Sequence, residues 1–237
     1  MNRALVSALV LSLLAVSACS VPTAPQAVSS LDTLLPHPTG RSSATQVKSG
    51  PGVSLGVIYS PSTQTNRQYL RDYQANAGTG FGQSLLVQSI HDAYVASSKP
   101  DMAVEWVNTS LQRQFGTVTV YPDMHSLRAA KPDVVAIVDT HSQLITSRSS
   151  DIKAHVSADF YDAQLHYIGT AKGAEARELT PVWADFKRSE EIVADINQQQ
   201  DVQVRALQAF DRSLSNLVAR PAGNVSMLEG KHGQKLY

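Results

Sequence analysis

Val134-Val135-Ala136-Ile137-Val138 is the stretch that most constrains the fold. Its five apolar residues show no alternation between two faces. A strand reads this way when both faces are covered, and helices are the elements that cover such strands. The run therefore belongs at the centre of a sheet with helices packed on it.

The flanking patterns supply the other elements. Val53, Leu55, Val57 and Tyr59 alternate with Ser54 and Gly56, which predicts a strand ended by Pro61. Residues 60–80 are polar, with Asn76, Gly78 and Gly80 marking a loop. Gly82–Ala96 places Leu85, Leu86, Ile90 and Ala93 at helical spacing. Pro100 suits the first position of a second helix, with Ala103, Trp106, Val107, Leu111 and Phe115 on its apolar face and Gly116 as its stop. Thr117–Tyr121 is β-rich, and Pro122-Asp123 starts a short helix through Ala130.

After Asp139 the pattern alternates through Ile145, then breaks at Ser147–Ser150. Ile152, Ala154, Val156, Ala158 and Phe160 share one face, with Lys153, His155, Ser157, Asp159 and Tyr161 on the other. The phase flips at Asp162-Ala163-Gln164, which predicts an antiparallel hairpin continuing through Leu165, Tyr167 and Gly169. Residues 174–187 read as a loop holding Pro181 and Trp183. Ser189–Val218 is helical with an interruption at Gln198–Gln200, and Val204, Leu207, Phe210, Leu214, Leu217 and Val218 form its stripe. The result is an α/β (α+β) domain: one mixed sheet of about five strands with flanking helices.

The N-terminus carries a different signal. Arg3 is followed by an apolar run from Ala4 to Val16, too short to span a bilayer core that needs about 20 helical residues. The sequence thus divides into a signal peptide (1–18), a flexible linker that opens at Cys19 (19–52), the α/β domain (53–220) and a loose tail (221–237). The linker is rich in Pro, Ser, Thr and Gly. As a random coil it holds the domain roughly 30 Å from its anchor.

Composition narrows the role. The chain has 20 basic and 20 acidic side chains, and removing residues 1–18 takes away only Arg3. That balance lacks the basic footprint of a nucleic-acid binder. Cys19 is the single cysteine, so no disulfide can form within the chain.

Val16-Ser17-Ala18-Cys19 resembles the bacterial lipobox. The resemblance implies cleavage between Ala18 and Cys19 and attachment of lipid, palmitate included, to Cys19. Ser20 is not the Asp that retains such proteins in the inner membrane, so the resemblance implies the outer membrane. Several acyl chains anchor stably where one does not.

A second resemblance rests on Val16–Cys19, on Lys131–Val138 and on the hairpin from Ile152 to Tyr167. With the element order over about residues 53–219, these look like the outer-membrane lipoproteins of the TolB-N-terminal-like fold. That group includes the LpoB, CsgG and YajG lipoproteins.

Candidate chemistry is sparse. Asn76–Gly82 precedes a helix and could hold an anion. It lacks the lysine of a phosphate-binding loop, and Leu86 occupies the second glycine position of a nucleophile elbow. Asp139 and His141 follow the buried strand, where α/β ligands often bind; a strand end reaching solvent is the simpler reading. His155 and His166 could face each other across the hairpin as metal ligands with Asp159, against the simpler reading of polar positions on a half-exposed sheet. The hairpin could also serve a membrane β-barrel, but Lys153 and Asp159 favour a soluble sheet. Trp106 and Trp183 read as packing residues.

The expectation is a non-enzymatic, lipid-anchored adaptor or assembly factor at the outer membrane, facing the periplasm. It needs no cofactor or metal. Its partners are the bilayer, through Cys19, and an envelope protein. The alternative is a ring-forming subunit of a secretion or surface-appendage assembly; a hydrolase or metal enzyme has the least support.

Overall fold

A computed structural model describes residues 24–25, 47–76, 88–146, 149–179 and 187–219. Five strands form one sheet in the order β3-β2-β4-β5-β6. They are β2 (Gly50–Tyr59), β3 (Phe115–Val120), β4 (Val134–Gln143), β5 (Asp151–Asp162) and β6 (Tyr167–Glu178). β3, β2 and β4 run parallel, and β4, β5 and β6 form an antiparallel meander. The helices are α1 (Pro61–Ala75), α2 (Gln88–Ser97), α3 (Met102–Gln112), α4 (Met124–Ala130) and α5 (Ser189–Leu217). The mixed sheet with flanking helices is thus the fold that the sequence predicts.

The apolar run occupies the middle strand, and none of Val134–Val138 is more than 2% exposed. Val134, Ala136 and Val138 pack with Val107, Leu111, Leu207 and Phe210 from α3 and α5. Val135 and Ile137 face the other way, toward Ile58, Leu127 and Tyr161. Two opposed apolar surfaces explain why the run does not alternate.

Residues 61–75 form a helix rather than a loop. Ser60 caps it by accepting the Thr63 N–H at 3.1 Å, and Pro61 takes the first helical position. Its buried stripe is Thr63, Asn66, Tyr69, Leu70 and Tyr73, largely polar by composition and so hidden from a hydrophobicity count.

The start and end of α3 also differ from expectation. It starts after Asp101, and Phe115 and Gly116 belong to β3. A Cβ on Gly116 would lie 1.8 Å from the Pro51 carbonyl oxygen. That glycine serves the close approach of β2 and β3, not a helix stop.

α5 runs unbroken through Gln198–Gln200, because Gln199 is fully buried and bonded. Its inward stripe includes Val202, Ala206, Leu207, Phe210 and Leu214, whereas Val204 is half-buried. β6 continues to Glu178, into the stretch read as a loop, while Pro181 and Trp183 lie outside the described residues.

The folded body begins earlier than Val53. β1 (Val47–Lys48) pairs in parallel with β7 (Val218–Ala219), and Gly50–Gly52 belong to β2. Ala24, within the expected linker, packs against a second apolar cluster formed by α1, α2, α5 and the ends of β4 and β5.

Candidate functional site

Strand periodicity gathers the candidate residues on one sheet face. Leu127 of α4 covers the end of that face where Ile58, Val135 and Ile137 lie. Past Ile137 the same face turns polar. β4 places Asp139 and His141 there, and β5 places Asp159, Ser157, His155 and Lys153. Asp139 pairs with Ser157, His141 with His155, and Gln143 with Lys153. On the far side, Ser157 pairs with Lys172 of β6.

Most of these groups hold the fold. The Ser60 hydroxyl donates to the Asp139 carboxylate, so β4 fixes the residue that starts α1. Ser60 is fully buried and bonded to a carboxylate rather than an imidazole, which is not the arrangement of an activated nucleophile. Thr170 donates to Asp159, and Tyr167 lies 2.7 Å from the same threonine oxygen.

His141 and His155 are half-buried cross-strand neighbours. Burial pushes the His141 pKa below the ordinary imidazole value, with Asp139 pulling the other way and His155 and Lys153 adding to the depression. Burial does the same to His155, again opposed by Asp139 and reinforced by Lys172. Both rings are neutral at neutral pH.

The structure thus brings Asp139, His141 and His155 together and leaves His166 apart. His155 pairs with Ala174, not His166. His166 sits in the β5–β6 turn, where its N–H and that of Gln164 donate to Asp162 at 2.8 and 2.9 Å. Burial works against the Asp162 carboxylate, but these bonds and the His166 ring hold its pKa below the usual range. Among the described residues, no group of three His, Cys, Asp or Glu side chains is placed to hold a metal ion.

A crevice with room for only about 10 Å³ lies between α3, α5 and the β4–β5 pair, lined by Met102, Ala103, His141, Ala154, His155 and Gln203 among others. Ligand sites commonly occupy about 300–1,000 Å³. Among the described residues, no helix is long and apolar enough to cross a membrane. Ala18, Cys19 and the Asn76–Gly82 loop beyond Asn76 lie outside the described residues.

No family model and no curated protein matches this chain. Among solved structures it is similar to a PelC dodecamer from Paraburkholderia phytofirmans, at 13% identity and a TM-score of 0.34, over 74% of this chain and 96% of that one. A leucine-to-methionine variant of that dodecamer shows 12% identity and a TM-score of 0.36 over the same shares. A likeness this low assigns no role to any residue here.

Sequence reasoning missed the ladder on α1. Thr63 Oγ1 accepts the Thr140 N–H at 2.9 Å, Asn66 bonds both backbone groups of Ser142, and Tyr69 accepts the Leu144 N–H at 3.1 Å. The signal was present as polar residues at every third position, 63, 66 and 69. Trp106 does pack, as expected. Its indole N–H donates to Asp211 at 3.1 Å, and Ser110 donates to the other oxygen of that carboxylate at 2.5 Å, clamping α3 to α5.

Proposed function

We propose that this chain is an outer-membrane lipoprotein that presents its domain to the periplasm as a non-enzymatic adaptor. The observation that carries the reading is Val16–Cys19 directly after a short apolar run. Lipid on Cys19 provides the attachment. The adaptor role is supported by how the polar side chains of the sheet are used. Asp139 and Asp159 each hold a neighbouring element and Asp162 holds the β5–β6 turn, while Lys153 and Lys172 stand exposed at the margin of the His141–His155 pair. Such a margin suits contact with an acidic protein surface.

Cys19→Ser in the full-length chain tests the anchor. The variant should move from the membrane to the soluble fraction and lose incorporation of labelled palmitate. Retention in the membrane overturns the reading. A photo-crosslinker at Lys153 should capture one discrete envelope protein; capture of none in intact cells removes the adaptor role.

A further inference from the structure

Besides Gly50–Ser54 of β2, which lie ahead of the β2–β4 pairing, three stretches of strand backbone in the main sheet lack a strand beside them. Beyond Val138, β2 has left β4, and Thr63, Asn66 and Tyr69 of α1 take its place. At β6, α5 lies over the face that carries Gly173, and at the outer edge Ser213 Oγ accepts the Lys172 N–H at 3.0 Å. The outer side of β3 is the third stretch. Among the described residues, no hydrogen bond reaches its Val118 or Val120 backbone from outside the sheet.

The phase of β3 fixes which groups are open. The Tyr121 N–H donates to the Val57 carbonyl at 2.8 Å. In a parallel ladder alternate residues face the neighbouring strand. Thr117, Thr119 and Tyr121 therefore turn toward β2, and Val118 and Val120 turn their N–H and C=O outward. Val120 is also the exposed large hydrophobic side chain among the described residues, at 49%. Natural edges are usually guarded by charge or proline. β6 follows that rule with Lys172, Glu175, Arg177 and Glu178, whereas Phe115–Val120 contains neither guard.

We propose that the β3 edge pairs with the same edge of a second copy, antiparallel about a two-fold axis at Val118, joining two five-stranded sheets into one of ten. Thr117-Val118-Thr119 reads the same in both directions, so each Thr117 falls opposite Thr119 of the second copy. Threonine pairs are favourable across antiparallel strands, and an uncharged strand sets no like charges against each other. The outward Val118 groups of the two copies exchange both hydrogen bonds. A head-to-tail contact would set the β3 edge against β6, where Ser213 already takes the Lys172 N–H and where Lys172, Glu175, Arg177 and Glu178 guard the strand. The contact is therefore isologous, and it ends at two copies.

Val118→Cys in the full-length chain, in native envelopes under mild oxidation, tests the pairing. Only a two-fold contact brings residue 118 against itself, so a disulfide-linked dimer is expected. Lys172→Cys should stay monomeric, and adding Val120→Lys to Val118→Cys should lower the dimer yield roughly tenfold by placing a charge on the edge. No dimer from Val118→Cys, an equal yield from Lys172→Cys, or indifference to Val120→Lys overturns the proposal. Cross-linking of the unsubstituted chain through Cys19 would count against the lipid anchor alone, and the pairing is then read in a Cys19→Ser background. Hydrogen exchange on the purified full-length protein gives a second readout without substitution. Val118 and Val120 amides should gain protection as concentration rises, and free exchange at every concentration overturns the pairing.

Discussion

The Asn66 side chain pairs with the Ser142 backbone as a neighbouring strand would, its Nδ2 donating to the carbonyl at 2.9 Å and its Oδ1 accepting the N–H at 3.1 Å. Both residues are buried, so water cannot replace either bond. Asn66→Ala leaves a buried donor and acceptor together, which costs about 3 kcal/mol. For a domain of this size that lowers Tm by about 9 °C, measurable by calorimetry. A drop under about 2 °C would mean that the ladder is incidental to β4.

Gly173 and Gly169 lie on the same strand under the same helix, yet they should respond differently to alanine. A Cβ at Gly173 would sit 2.0 Å from the Ala206 carbonyl oxygen and 2.4 Å from the Phe210 nitrogen, both helix backbone. Relieving that overlap means lifting α5 off the sheet, at about 3 kcal/mol or more. At Gly169 the nearest atom is the Leu217 Cδ1 at 2.7 Å, a side-chain tip that can rotate away. Gly169→Ala should cost less than about 1 kcal/mol, with both variants compared by urea titration. Equal costs would show that α5 is not held rigidly over β6.

The His141–His155 pair makes stability depend on pH. The folded protein holds both imidazoles below their ordinary pKa of 6.5. As pH falls through 6.5, the unfolded chain binds protons that the folded chain refuses. The pair's contribution is therefore full above that value and is lost toward the lower folded pKa values. The urea midpoint should fall between about pH 7.5 and about pH 5, and His141→Gln with His155→Gln should flatten the drop. An unchanged slope in the double variant would assign the acid sensitivity to other groups.

Gln199 joins three elements inside the core. Its Oε1 accepts the Ile145 N–H at 2.7 Å, and its Nε2 donates to Ser97 Oγ at 2.9 Å. Gln199→Leu keeps the volume but strands the Ile145 amide, at about 2 kcal/mol. Hydrogen exchange should quicken at Ile145 well before the amides of β4. Uniform quickening along β4 would point to global rather than local loosening.

The elements that were legible in the sequence are those whose burial is apolar. Val134–Val138 could be placed centrally because both neighbours of that strand are hydrocarbon. The β5–β6 hairpin could be read because one face is apolar and the other is not. α1 escaped because Thr63 and Asn66 bury polar groups against strand backbone, and single-residue hydropathy sees only their polarity. Gln199 misled for the same reason, since an inward glutamine looks like a break in a stripe. Asp139 and His141 read as a strand end reaching solvent, but β4 runs on to Gln143 and Asp139 is buried against Ser60, a contact that only the tertiary fold creates. His155 was assigned the wrong neighbour, because cross-strand partners depend on register and the chain does not print its register.

Ala24 bears on the height at which the domain rides. Four residues lie between it and Cys19, and the five fully extended Cα–Cα steps reach about 17 Å. With lipid on Cys19, contact between Ala24 and the core keeps that corner of the domain beside the headgroups. So short a tether would make the chain a fixture at the surface of its membrane, and anything it engages would have to arrive there.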